Sequence, residues 1–184
     1  NTLEQMKQKL DDAISDVDKN IGRLYNFLKK EKLWDSTIFI ISSDHGDNFG
    51  EHNIYFCRGG LYDTSIHVPL IMSIPGIHNN QVDELTQSID IAPPILEIIG
   101  NENKNIDGKS LLNVIKKGKG REKIISFDSY ADSAVAVRTK TKKYITRDDS
   151  HCYLCKALHG AAHEEYDLMH DPEEKNNIHD GKSK

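Results

Sequence analysis

The chain has 184 residues, enough for one hydrophobic core with a small additional layer. Its net charge is −5, from 24 basic and 29 acidic residues, which argues against nucleic acid as the main partner. The apolar runs are too short to cross a membrane, and three cysteines, an odd count, favour a reducing, cytoplasmic compartment over a disulfide framework.

The first half of the chain predicts one long helix and two strands. Apolar residues spaced three and four apart predict an amphipathic helix over residues 3–28, and Thr2 with Gln5 predicts a capping box at its start. The apolar run at residues 37–42 predicts a strand buried on both faces, and a second strand is predicted at residues 68–74. The long loop between these strands favours a functional role, because compact domains rarely carry such loops without one.

Asp44 and His45 come directly after the first predicted strand. In an open α/β sheet, functional groups collect at the carboxyl ends of strands. A carboxylate and an imidazole there can each donate a lone pair to one metal ion. A strand-ending turn, with Asp44 capping the next element and His45 merely exposed, explains the two residues equally well. The pair alone therefore leaves both interpretations open.

The second half of the chain predicts short helices followed by short strands. Asp90 is placed to cap a helix, and another helix is expected around residues 110–115. The basic, glycine-rich stretch at residues 116–121 is interpreted as a solvated connector, because it lacks the spacing of a phosphate-binding loop. After it, antiparallel strands are predicted at residues 123–128, 134–138 and 143–146, with a further strand at 165–168.

Seven sequence blocks carry a family pattern through their order and spacing. They are residues 42–52 (SSDHGDNFGEH), 58–63, 66–71, 88–93, 107–111, 165–168 and 171–177. Together they resemble the sulfatase family within the alkaline-phosphatase-like hydrolases. The resemblance implies an α/β fold: residues 1–118 would be the later part of an alkaline-phosphatase-like sheet domain. Residues 119–184 would form a small C-terminal antiparallel sheet with a packed helix.

The resemblance also implies roles for individual residues. Asp44 and His45 would be ligands of a divalent cation. The resemblance implies Ca²⁺, and Mn²⁺ or Zn²⁺ are the alternatives because imidazole suits them better. Arg58 would bind the sulfate or phosphate group, since a guanidinium can bind two ester oxygens; a surface loop arginine is the alternative. His52 lies in the same block and either reaches the site or has a packing role.

The family's nucleophile has no counterpart in this sequence. Sulfatases carry an acidic pair and a Cys or Ser in a C/S-x-P/A-x-R motif that matures to formylglycine, and Cys57 does not fit that motif. We therefore expect the C-terminal half of a metal-dependent sulfatase, inactive alone, with its formylglycine in the N-terminal half of the same enzyme. The expected substrate is a small-molecule or saccharide sulfate ester. A phosphonate monoester or phosphodiester hydrolase, and a non-catalytic metal-binding module, are the alternatives.

A second cluster of potential ligands lies outside the family pattern. Cys152, Cys155, His159 and His163 are spaced as a small tetrahedral zinc site would require. Zinc fingers, however, usually separate their two ligand pairs by about a dozen residues. A local helix with incidental thiols is therefore the favoured interpretation, and a role in tuning specificity stays open.

Overall fold

The computed structural model combines helices with antiparallel sheets, which confirms the predicted α/β class. It describes residues 2–78, 81–101, 105–129, 133–148, 151, 152, 156 and 159–181. The helices are α1 (Leu3–Lys30), α2 (Asp63–Ile66), α3 (Ala92–Ile98) and α4 (Leu111–Lys117). The strands are β1 (Phe39–Ser42), β2 (Asn48–Phe49), β3 (Tyr55–Cys57), β4 (Leu70–Ser73), β5 (Ile124–Asp128), β6 (Ala134–Arg138), β7 (Lys142–Arg147) and β8 (His163–Asp167). Short 3-10 helices span Trp34–Ser36, Glu51–Asn53 and Ser88–Asp90.

The chain divides into two compact units. The first comprises residues 1–43 and 69–78, and the second comprises residues 44–68 and 79–184. The domain boundary predicted near Gly118 lies within the second unit. That boundary follows from the family resemblance and stays a prediction.

The first unit contains the long helix and a two-stranded sheet. The predicted capping box is present at the start of α1: Gln5 N–H donates to Thr2 Oγ1 at 3.4 Å, and Thr2 N–H donates to Gln5 Oε1 at 3.0 Å. Beyond the other end of α1, Trp34 packs on Tyr25 and on Phe39, with ring centroids 4.6 and 5.5 Å apart. Within the described part of the chain, no helix is long and apolar enough to span a membrane.

β1 pairs antiparallel with β4, with Ile40 opposite Met72. The prediction that this strand is buried on both faces is wrong, because its apolar residues are only partly buried and Ser42 is exposed. The described residues give β1 the single strand neighbour β4. A sheet of two strands leaves much of each face open to solvent.

The second unit is built around a four-stranded antiparallel sheet in the order β5-β6-β7-β8. The sequence predicts its first three strands as successive antiparallel strands and a further strand near β8. The inner face of the sheet buries small and apolar side chains against residues from the loop between β1 and β4. The shared core consists of Ile54, Cys57, Leu61, Tyr62, Ala134, Ala136, Ile145, Cys152, Tyr166 and Leu168. The helix that packs against this core is the single turn α2, which contributes Ile66.

Asp90 connects three segments of the second unit through hydrogen bonds. Its carboxylate accepts the backbone N–H groups of Gln87 and Lys109 at 2.9 and 2.7 Å. It also accepts Nε and Nη2 of Arg121 at 2.9 and 2.5 Å. The interpretation of residues 116–121 as a solvated connector is therefore wrong at its end, because the Arg121 side chain is largely buried in this ion pair.

Replacing Asp90 with asparagine should destabilise the protein by about 3 kcal/mol at neutral pH, since Arg121 would lose its buried partner. Burial alone would raise the pKa of Asp90, but hydrogen bonds from Arg121 and the two N–H groups hold this pKa below its usual 3.8. The charged carboxylate therefore contributes its full stability above pH 3.8. This contribution is lost as the pH falls from 3.8 through the lower pKa of the folded state. Urea unfolding should show the difference between wild type and Asp90→Asn shrinking from pH 6 to pH 3. The exposed Asp83→Asn control should change stability little at either pH.

Candidate functional site

Asp44 and His45 begin the second unit and lie at its surface. The Asp44 side chain is 84% exposed, and one of its oxygens accepts the His45 N–H at 3.1 Å. Its other oxygen lies 3.6 Å from His45 Nε2. The pKa of Asp44 is lowered, first by a hydrogen bond from its own backbone N–H and then by electrostatic interaction with His45. The carboxylate is therefore charged near neutral pH and accessible to a cation.

The neighbours of His45 define which ring nitrogen carries a lone pair. His45 Nδ1 lies 2.8 Å from the carbonyl oxygen of Gly46, which only accepts, so Nδ1 carries the hydrogen. Nη1 of Arg58 lies 3.2 Å from His45 Nε2 and, as a guanidinium, only donates. Nε2 therefore presents its lone pair on the side that faces Asp44 and Arg58.

The structure thus brings Asp44, His45 and Arg58 together, as the family resemblance implies. The Asp44 oxygen and His45 Nε2 are close enough for both to ligate one ion, since metal–ligand bonds to such donors are about 2.0–2.6 Å long. Across the residues that the structure describes, no group of three or more His, Cys, Asp or Glu side chains is placed to hold a metal. These residues therefore fit as two donors of a larger ligand set.

His52 has a different placement from these three residues. Its ring stacks face to face on Tyr62, with centroids 3.5 Å apart and planes 2° from parallel. The backbone of His52 is left-handed at φ 54°, and burial lowers the pKa of its half-buried ring. Of the two interpretations of His52, this geometry favours packing.

Tyr62 leads into a buried network that the sequence does not reveal. Its hydroxyl contacts both Glu164 oxygens, at 3.1 and 2.9 Å, and Tyr166 donates to the same carboxylate at 2.8 Å. Arg147 Nη1 pairs with Glu164 at 2.8 Å and donates to the His159 carbonyl at 2.5 Å. Burial and the Glu164 charge raise the pKa of Tyr62, so its hydroxyl stays protonated.

A second buried network holds the next residue, Asp63. The ammonium of Lys143, fully buried, lies 2.5 Å from carboxylate oxygens of both Asp63 and Glu174 and 3.1 Å from the Leu61 carbonyl. Arg138 binds both Asp63 oxygens, at 3.3 and 3.0 Å. Burial raises the pKa of Glu174, whereas Lys143 and Arg138 outweigh burial at Asp63 and lower its pKa. The family-like blocks at residues 58–63 and 171–177 thus meet at a single buried lysine.

The cysteine and histidine cluster is only partly described. Cys152 and His159 are buried, and His163 lies exposed on β8 with its Nδ1 3.1 Å from Thr146 Oγ1. Cys155 lies outside the described residues. The expected local helix is wrong for the described members, none of which is helical. The zinc site stays a prediction.

Comparisons with known proteins converge on one family. The family model described as Sulfatase matches residues 1–101. Arylsulfatase K of Mus musculus is 30% identical over 89% of this chain and 31% of its own length. The multifunctional alkaline phosphatase superfamily protein PehA of Trinickia caryophylli is 29% identical over 96% of this chain and 37% of its own length. The chain therefore spans about a third of the length of these relatives.

Solved structures show the same similarity. The structure of BT4656, in complex with its substrate D-glucosamine-2-N,6-O-disulfate, has a TM-score of 0.67 and 31% identity. The match covers 90% of this chain and 34% of the BT4656 chain. The putative sulfatase yidJ from Bacteroides fragilis has a TM-score of 0.68 and 26% identity, covering 90% of this chain and 36% of its own. These structures support the alkaline-phosphatase-like fold.

Replacing Lys143 with methionine should lower the free energy of unfolding by about 3 kcal/mol, because Asp63 and Glu174 would lose their shared buried cation. The neighbouring Lys142 is a matched control, since its ammonium pairs with Glu165 at the surface. Urea unfolding of Lys142→Met should differ little from wild type. Equal losses in the two variants would show that the buried lysine has no special role.

Proposed function

Because the chain belongs to the sulfatase family, we propose that Asp44, His45 and Arg58 form part of the active site of a metal-dependent sulfate ester hydrolase. One observation carries this proposal. Carboxylate, imidazole and guanidinium meet in one accessible cluster, although Arg58 is thirteen positions from His45. Sulfate ester hydrolysis needs such groups, because repulsion of the nucleophile and charge on the leaving oxygen must both be offset.

In this proposal, Asp44 and His45 hold a divalent cation, which would polarise the ester oxygens when bound. The charged carboxylate of Asp44 suits Ca²⁺, whereas the imidazole of His45 suits Mn²⁺ or Zn²⁺. A cation and Arg58 compete for the same lone pair on His45 Nε2. Arg58 is therefore available to turn toward the ester, where its fork of N–H donors matches two sulfate oxygens.

The nucleophile must come from outside this chain. The sequence lacks a Cys or Ser in the motif that yields formylglycine, and the relatives are about three times as long as the part matched here. We assign the formylglycine to an N-terminal half of the same enzyme. That half would also supply the remaining metal ligands, so residues 1–184 alone would be inactive.

A sulfated saccharide is the substrate class that the comparisons favour. The protein BT4656, 31% identical to this chain, is bound to D-glucosamine-2-N,6-O-disulfate as its substrate. We therefore propose a saccharide sulfate ester as the substrate.

A phosphonate monoester or phosphodiester is the second candidate substrate. Two observations favour it: the imidazole of His45, which would suit Mn²⁺ or Zn²⁺ better than Ca²⁺, and the similarity along 96% of the chain to a protein described as a multifunctional member of the alkaline phosphatase superfamily. Rates on 4-nitrophenyl sulfate and on bis(4-nitrophenyl) phosphate, measured with the same full-length protein, distinguish the two. A faster phosphodiester reaction would reject the sulfatase proposal.

Substituting Asp44 with asparagine in the full-length protein should reduce hydrolysis of 4-nitrophenyl sulfate at least ~100-fold, because the cation loses its charged ligand. Bound metal, measured by plasma mass spectrometry after dialysis, should fall in parallel. The exposed Asp47→Asn is the matched control and should keep both activity and metal. Unchanged activity in Asp44→Asn would contradict the catalytic metal role of Asp44 and would favour a non-catalytic role for residues 1–184.

A further inference from the structure

The backbone on both sides of Arg58 is buried, although its side chain is exposed. Cys57 and Gly59 are both buried, and each offers a carbonyl oxygen to the interior. An exposed guanidinium on a flexible loop would sample many positions. Here the backbone of Arg58 is fixed by the group that binds the carbonyl oxygens of Cys57 and Gly59.

The side-chain amide of Asn48 binds both of them. Its Nδ2 donates to the carbonyl oxygens of Cys57 and Gly59 at 3.0 and 3.1 Å. The same nitrogen lies 2.7 Å from Ser65 Oγ. Asn48 is completely buried, so these contacts are shielded from competing water.

The chemistry of the partners sets the orientation of this amide. Two carbonyl oxygens accept and never donate, so the nitrogen of Asn48 has to face them. The oxygen of the amide accepts the hydroxyl of Thr64 at 2.6 Å. A carboxylate of the same shape would place an oxygen against the two carbonyls, which makes Asn48→Asp an isosteric test of the contact.

The same amide is connected to the metal-ligand pair. The Ser65 carbonyl accepts the N–H of Gly46, the residue after His45, at 2.8 Å. The two segments approach so closely that a Cβ on Gly46 would lie 2.1 Å from the Thr64 carbonyl oxygen. Asn48 thus fixes Arg58 and, through Ser65, the segment that carries His45.

We propose that Asn48 is a positioning residue that holds the backbone at Arg58, so that the guanidinium lies against His45 Nε2 in the metal-free protein and within reach of the ester when a cation takes that lone pair. Its amide acts through the backbone and touches neither substrate nor metal. The kinetic consequence of this inference rests on the proposed function, whereas the structural consequence does not.

The structural test uses NMR on the full-length, isotope-labelled protein after metal removal with EDTA. In Asn48→Asp, the ¹⁵N signal of His45 Nε2 and the guanidinium signals of Arg58 should shift to those of unpaired side chains, while the amide signals of β5–β8 stay in place. Asn113→Asp, the same change at an exposed position on α4, should leave all these signals unchanged. Ser65→Ala, a milder change, should move the His45 and Arg58 signals in the same direction.

The kinetic test measures the inhibition constant of inorganic sulfate against 4-nitrophenyl sulfate hydrolysis. In Asn48→Asp, this constant and KM should rise about tenfold, with a smaller change in kcat, because a misplaced Arg58 binds the sulfate group poorly. Asn113→Asp should match wild type in all three quantities.

Unchanged His45 and Arg58 signals in a folded Asn48→Asp protein would overturn the proposal, whatever the activity. Unfolding of both Asn48→Asp and Ser65→Ala would also overturn it, because Asn48 would then serve folding alone. If the signals shift but the wild-type protein neither binds sulfate nor hydrolyses the esters, positioning stands and the proposed function fails.

Discussion

The charged inner face of the antiparallel sheet is the feature on which the candidate site depends. Lys143 and Arg147 alternate with Ile145 on β7 and therefore point into the core. A buried charge is costly unless it is paired, and each of these cations meets a buried carboxylate. Glu164 pairs with Arg147, and Glu174 pairs with Lys143. Residues 61–63, where the loop leads into α2, add further hydrogen bonds to both pairs.

That loop connects the sheet to Arg58. Tyr62 inserts its hydroxyl into the Glu164 pair, and Asp63 completes the ligation of Lys143. Leu61 adds its carbonyl to the same ammonium. A shift of this segment would leave several buried polar groups without partners at once, so the position of the loop is strongly determined. The small sheet therefore acts as the support for a site whose reactive groups lie elsewhere in the chain.

The sequence predicts the elements with strong periodicity and the residues within a family block. The helix α1 and the four C-terminal strands are found close to their predicted positions, and the side chains of Asp44, His45 and Arg58 lie close together, while their roles stay a prediction. The sequence does not predict the burial of three charged residues, Arg121, Lys143 and Glu164. An isolated charged residue is usually solvated, and the residues beside these three do not indicate otherwise. Lys143 binds Asp63, which lies 80 positions away, and Glu164 pairs with Arg147, which lies 17 positions away. Only the alternation of Lys143, Ile145 and Arg147 on one strand face offers a signal, and it is ambiguous until the register is known.

The turn before Arg58 contains strained backbone that contacts with the rest of the second unit stabilise. His52, Asn53 and Phe56 all have left-handed backbones, near φ 55°, and such conformations cost non-glycine residues of the order of 1–3 kcal/mol each. Two contacts within the turn offset this cost: Ile54 is fully buried, and the His52 ring stacks on Tyr62. The tight reversal brings Cys57 back opposite Asn48, where the amide of Asn48 binds the carbonyls around Arg58. Tyr62 is itself held by Glu164 and its ion pair with Arg147, so the ring on which His52 stacks is fixed by the sheet.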